Sequence, residues 1–178
     1  MNAITTQVIN KNFLSPTGFK FDIPQLPTFS YFVQTVQIPS LELNSTSAYQ
    51  TPFGKITTPG DHVTFSDLSV TFKIDEDMLS YFEIYDWITD VGLLDSFSGY
   101  QTLASNAPGS KQAIITNAVL TVLNSAMQPN VIITFRDLIP SSLTINEFNT
   151  TDTEISYLTG TVVFKYREFT RQYISGNQ

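Results

Sequence analysis

Cysteine is absent from this chain, which excludes disulfides, thiolate metal sites and cysteine nucleophiles together. Histidine occurs once, at His62, so any Ser-His-Asp device would have to run through that one imidazole. A single histidine without cysteine also falls short of the usual zinc ligand sets. Charge is scarce: Asp, Glu, Lys and Arg make up 14% of the 178 residues, well below the roughly one quarter of an average domain. Positive charge is scarcer still. Nine Lys and Arg against 16 Asp and Glu leave a formal net charge of −7, which argues against a protein that grips nucleic acid through its phosphates. No apolar run approaches the roughly 18 residues of a transmembrane helix. The opening Met1-Asn2-Ala3-Ile4-Thr5-Thr6 lacks the basic and apolar regions of a signal peptide. The expectation is a chain kept in the cytosol unless other machinery exports it.

What is plentiful is aromatic. Phe, Tyr and Trp reach 13%, with 14 Phe, 8 Tyr and one Trp, a composition that favours β structure. The length suits one domain with a real core. A weakly charged surface is either one that other subunits cover or one built from Thr, Ser, Asn and Gln; both can hold together.

The most informative stretch runs from Pro59 to Val91. Apolar residues alternate in two phases: Val63 and Phe65 fall on odd positions, Leu68, Val70, Phe72 and Ile74 on even ones. One strand over 63–74 with a β-bulge at Ser66-Asp67 is expected. Asp75 then reads as a helix N-cap, with Glu76 and Asp77 at the positive end of the helix dipole. The helix over about 75–91 carries Met78, Phe82, Tyr85 and Ile88 on its apolar stripe, widened by Tyr81, Ile84 and Trp87, while Glu83, Asp86 and Asp90 lie outside it. Such a helix needs a sheet to bury it.

Elsewhere, residues 1–15 read as a polar N-terminal arm. Strands are expected over 18–23 and 29–38, the second ended by Pro39. Residues 44–62 read as a long, weakly apolar excursion, expected to be a hairpin built for contact. Gly92 suits a helix C-terminus, and 93–112 reads as irregular. Strands over 113–125 and 131–138 form a hairpin. Pro140-Ser141-Ser142 reads as a turn before a short strand from Leu143, and 156–169 as the last strand, before a polar tail over 170–178. The picture is mainly β: an antiparallel sandwich or partial barrel over 16–169 with one flanking amphipathic helix.

A search for chemistry finds little. No Gly-x-Ser-x-Gly elbow, P-loop or Gly-x-Gly-x-x-Gly fingerprint is present, and His62 sits in a Pro-Gly turn where a surface residue is ordinary. Asp75-Glu76-Asp77 lacks the spacing of an EF-hand and is explained by the helix terminus. Paired carboxylates for glycoside cleavage stay open, because their separation is spatial. The expectation is a protein that is not an enzyme and carries no cofactor or metal.

The order of the pieces carries a resemblance. Pro16-Thr17-Gly18-Phe19-Lys20-Phe21, then Tyr31-Phe32-Val33-Gln34 ending in Ile38-Pro39, then Pro59-Gly60-Asp61, Phe65-Ser66-Asp67-Leu68-Ser69-Val70-Thr71-Phe72 and Asp75-Glu76-Asp77 follow one another. Asp86-Trp87 on the helix, Phe135-Arg136-Asp137-Leu138-Ile139-Pro140-Ser141-Ser142 and a final strand over 155–166 complete the set. In this order the chain resembles the tail tube proteins of contractile-tailed bacteriophages over about residues 16–169. The resemblance implies a tail-tube-like fold whose hexameric rings stack into the hollow inner tube of a contractile phage tail, a conduit for DNA ejection. It implies a homo-oligomer, with sheath, baseplate and tail-terminator proteins as partners and DNA passing without specific binding. It implies a place in the virion tail after assembly in the host cytoplasm. A baseplate tube-initiator or tail-terminal ring of the same fold is the alternative; a virion-attached receptor- or carbohydrate-binding β module is the reading from another class. The sequence departs from the family in the loop 93–112 and the arm 1–15. Tyr49, Thr51, Phe53, Lys55 and Ile56 are the candidates for inter-ring contact, and Glu83, Asp86 and Asp90 the helix acids for an interface.

Overall fold

A computed structural model describes residues 11–51, 54–92, 98, 101, 104–105, 113–151 and 156–174, and side chains for all of these except 46–51 and 55–59. Most of the arm 1–15 and of the loop 93–112, with Phe53 and the last four residues, lies outside the described residues. In chain order the elements are β1 (Phe19–Asp22), α1 (Pro27–Phe32), β2 (Val33–Gln37), β3 (Leu41–Thr51), β4 (Gly54–Phe65) and β5 (Leu68–Lys73). There follow α2 (Leu79–Gly92), β6 (Thr116–Leu123), β7 (Pro129–Ile145), β8 (Thr159–Lys165) and β9 (Glu168–Tyr173). The fold is mainly antiparallel β, as the sequence predicts, with a second short helix that it does not.

β7 joins the two halves. Its first part pairs with β6 and β9, its second part with β8, and the sheet continues through β5 to β2 in the order β1-β6-β7-β8-β5-β2. The strand turns where Asp137 adopts φ 56°. There Arg136 and Asp137 stand opposite Asn117 alone, a β-bulge, and the Asn117 side chain accepts the Asp137 amide at 3.2 Å. Arg167 reaches the Asp137 carboxylate at 2.9 Å across the same corner. The turn expected at Pro140-Ser141-Ser142 is therefore not a turn. Pro140 lies within β7, beside a second register shift before Ser142, and a bulge is a place where a strand tolerates proline. The strand expected over 156–169 is two, β8 and β9. β9 runs on to Tyr173 against Val131, so the stretch read as a tail begins as an edge strand.

The core fills the space between these half-sheets. Phe21, Phe29, Phe72, Phe135, Phe164, Leu68, Val70, Ile84, Leu138 and Val162 are fully buried. Phe29 meets Phe72 edge-on at 4.9 Å and Phe164 at 6.2 Å. Phe29 was expected on a strand over 29–38; instead Pro27 opens α1, and the strand begins only at Val33. Proline suits a first helical turn because its missing N–H is not needed there. Leu26 at the N-cap offers no side-chain acceptor. The cap comes from α2: the Glu83 carboxylate accepts the amides of Phe29 at 3.0 Å and Thr28 at 3.3 Å.

α2 begins at Leu79, four residues later than expected. Asp75 caps it from a distance across Met78, which sits at φ 55°. Its carboxylate accepts the amides of Ser80 (2.8 Å) and Leu79 (3.0 Å) and the Ser80 hydroxyl. Partial burial works to raise the Asp75 pKa, but these bonds outweigh it and hold the group below its ordinary 3.8. The buried side of α2 is Ser80, Ile84 and Trp87; Leu79, Phe82 and Tyr85 are exposed. The expected stripe is thus split: Met78 lies before the helix, and the six other apolar positions span more than one face can hide.

Candidate functional site

The described residues contain no arrangement for catalysis around the one histidine. His62 is exposed and stands 3.8 Å from the exposed Asp61. Among the described residues no group of three His, Asp or Glu side chains is placed to hold a metal ion. A polar cleft of about 560 Å³ lies between the end of β7 and the start of β8, among Asn146, Glu147, Phe148, Asn149 and Tyr157. Its amides are already used: Asn146 binds the Thr159 hydroxyl at 2.7 Å and Asn149 binds Thr151 at 2.9 Å. The Tyr157 ring carries the Lys73 ammonium at 4.7 Å.

The more telling features are surfaces. β3 and β4 form a separate two-stranded ribbon, so the hairpin expected over 44–62 is present and longer than read. The ribbon continues the β2–β5 pair. Gln37 stands opposite Ser69 and Leu41 opposite Phe65, in one register, so no residue is inserted between them. The bulge expected at Ser66-Asp67 is therefore absent. The change of phase there marks the joint at which both strands leave the body together. Ser40 and Ser66 hold that joint: the Ser66 amide binds the Ser40 carbonyl at 3.1 Å, and the Ser66 hydroxyl accepts the Ser40 amide at 2.7 Å. The Tyr166 hydroxyl donates to the Ser66 carbonyl at 3.0 Å. Burial, then the nearby Asp67 carboxylate, push the Tyr166 pKa above its usual value.

At the base of the ribbon one face is apolar and uncovered. Leu43 stands opposite Val63 and Leu41 opposite Phe65. Leu41, Leu43 and Val63 are each more than half exposed, while Phe65 turns back onto Tyr166 and Phe169, at 6.0 and 5.6 Å. Further out, Asn44 and Gly60 approach so closely that a Cβ on Gly60 would collide with the Asn44 carbonyl. At the distal end Tyr49 is opposite Ile56, Gln50 opposite Lys55 and Thr51 opposite Gly54. The backbone thus gathers four of the five contact candidates at one tip, and Phe53 lies outside the described residues.

α2 offers a second surface. Phe82 contacts Tyr81 and Tyr85 at 5.5 and 6.2 Å, with Glu76, Asp77 and Asp86 exposed nearby in sequence and no Lys or Arg from Asp75 to Gly92. Asp86 is open to solvent and Asp90 partly so, while Glu83 is engaged within the chain, on α1. Phe82 and Tyr85 are the residues sequence reasoning placed wrongly. The signal available was Ser80, whose small hydroxyl four residues before Ile84 marks the buried line.

A third region is the mouth of the partial barrel between β1 and β2, the two ends of the sheet order. An apolar groove of about 440 Å³ lies there among Leu14, Phe19, Val36, Leu120 and Val122. It leaves Leu14 and Ile38 exposed at its rim.

No family model matches the chain. Over 113 residues it is 28% identical to the tail tube terminator protein of Enterobacteria phage T4, a match covering 61% of this chain and 62% of that protein. The solved structures it resembles include the tube-terminating cap of the anti-feeding prophage, with TM-score 0.59, 11% identity, and 98% and 100% of the two chains covered. They also include the sheath/tube terminator of an extracellular contractile injection system, with TM-score 0.60, 13% identity, and 92% and 99% covered. The sheath-tube complex of the same kind of system matches with TM-score 0.56 and 13% identity, over 92% and 94% of the chains. The tail-tube-like fold drawn from the motifs is therefore the observed fold.

Proposed function

We propose that this chain is a structural, non-enzymatic ring subunit of a contractile phage tail, and that its ring closes the end of the inner tube. The observation that carries this reading is the sequence match to a tail tube terminator on a chain that folds like tube caps and terminators. The ring is hexameric in this reading, with a heterologous interface repeated around the axis. Among the described residues β1, β2 and β9 each pair on one side only, and these edges supply that contact, since an open edge asks for a partner. The β3–β4 ribbon reaches along the axis to the tube, with Tyr49, Thr51, Phe53, Lys55 and Ile56 at its contacting end. Asp86 and Asp90 on α2 face a surrounding component such as the sheath, baseplate or terminator assembly. DNA passes the opening without being held, which a chain of net charge −7 favours by repelling phosphate. The particle is assembled in the host cytoplasm and the subunit stays in the virion tail.

The second reading is the repeating tube subunit, favoured by the likeness to a sheath-tube complex. The two differ in stacking. A terminal ring added to growing tubes of the cognate tube subunit shortens them and is found at one end by immunogold labelling. Labelling along the whole length would overturn the terminal placement, and no labelling at all would overturn both readings.

A further inference from the structure

The β3–β4 ribbon is a two-stranded sheet carried clear of the core, and such ribbons are marginal on their own. Its direction has to be set where it leaves the body. Three features meet there. Both strands break at the same level, at Pro39 on one side and Ser66-Asp67 on the other, while register is conserved across the break. Pro39 has no amide to give to the ladder, so the pairing at this level falls to Ser40 and Ser66. Those two serines pair by backbone and by side chain, the Ser40 hydroxyl lying 3.1 Å from that of Ser66. Among the described residues, the side-chain hydrogen bond that ties this joint to the body is that of the Tyr166 hydroxyl on the Ser66 carbonyl, at 3.0 Å.

The Tyr166 ring is itself fixed, packed against Phe135 at 5.3 Å and Phe65 at 6.0 Å. Phe135 is fully buried. The hydroxyl therefore stands on a rigid base and reaches a carbonyl at the joint. From this geometry we infer that the joint at Ser40 and Ser66 is an elbow, and that Tyr166 is the positioning residue that sets the angle of the β3–β4 ribbon to the body. Phe65 acts as the pivot, because its ring stays in the Tyr166–Phe169 cluster while its neighbours Leu41, Leu43 and Val63 travel with the ribbon. A ribbon held at one angle meets its target with little ordering left to do, which is how a preorganised element gains affinity. The inference rests on the reading of the ribbon as the arm that contacts the tube, but its test does not.

The absence of native cysteine makes the test direct. Gly54 at the ribbon tip has nothing within 4 Å of an added Cβ, and Ser141 on β7 is exposed. Nitroxide labels on Gly54→Cys and Ser141→Cys, in full-length chain diluted with unlabelled protein, report the ribbon angle as a distance distribution. The background chain gives one narrow peak. Tyr166→Phe keeps the ring and removes the hydroxyl; the population outside that peak then rises about fivefold, as loss of one net hydrogen bond implies. Ser66→Ala, at a position the core does not use, broadens the peak in the same way. Unchanged distributions in both variants would overturn the elbow. Broadened distributions with undiminished tube capping would keep the elbow and overturn the ribbon's role in contact.

Discussion

Glu83 shows how much one side chain can settle. It joins two helices through residues 54 and 55 positions apart in sequence, and without it the amides of Thr28 and Phe29 lose their acceptor. Glu83→Ala is expected to cost about 1–2 kcal/mol, the range for losing a helix cap, read as a lower urea midpoint at unchanged slope. Gly160 is a second such point. A Cβ there would stand 2.8 Å from the Phe72 ring and 3.3 Å from the Thr144 carbonyl. Gly160→Ala should therefore destabilise by about 1–3 kcal/mol through overpacking, seen by the same titration. Asp75 gives a pH signature. Its folded-state pKa is lowered below 3.8, so in that window the unfolded chain binds the extra proton. The stability it adds is complete above the unfolded value and is lost as pH falls through the lower folded one. Asp75→Asn should be less stable at neutral pH and show a flatter acid limb below about pH 4, followed by thermal melts across pH.

At the scale of elements, the strands were legible where alternation is strong. β1 and β6 lie where the sequence puts them, and β5 is the second half of the strand read over 63–74, because Phe21, Leu68, Val70, Phe72, Ala118 and Leu120 each fall on a buried face. α1 was not legible. Its cap is supplied from α2, and Pro27 at its first turn is the one local helix signal, which a proline ahead of a strand would show equally. β7 was read as two strands because Pro140 usually stops a strand, and the bulges that admit it are set by partners far along the chain. The elbow was half legible: the phase change at Ser66-Asp67 stands in the sequence, but a bulge and a joint produce the same pattern, and only the register separates them. Of the candidate contact residues, Tyr49, Thr51, Lys55 and Ile56 share the ribbon tip. Glu83 is tied into the chain while Asp86 remains open. Removing residues 48–57 tests the ribbon as an element. Because its apolar face is outside the main core, the shortened chain should keep its circular dichroism spectrum and unfold cooperatively. It should no longer pellet with cognate tubes; undiminished pelleting would count against the ribbon as the contact.

The whole molecule is asymmetric in a way that suits a ring. One side carries the acidic α2 with Phe82 and Tyr85 outward; the opening between β1 and β2 leaves apolar side chains uncovered, as does the ribbon face of Leu41, Leu43 and Val63. A monomer in water has no use for so many exposed apolar residues in contiguous groups. A subunit with neighbours around an axis and along it does, and the low charge content read from the composition fits the same picture. The most direct measurement is negative-stain electron microscopy of the purified protein over a concentration series. The account predicts hollow rings of uniform diameter that appear with rising concentration and do not extend into long tubes. Particles that remain single subunits at every concentration, and also in the presence of cognate tubes, would contradict it.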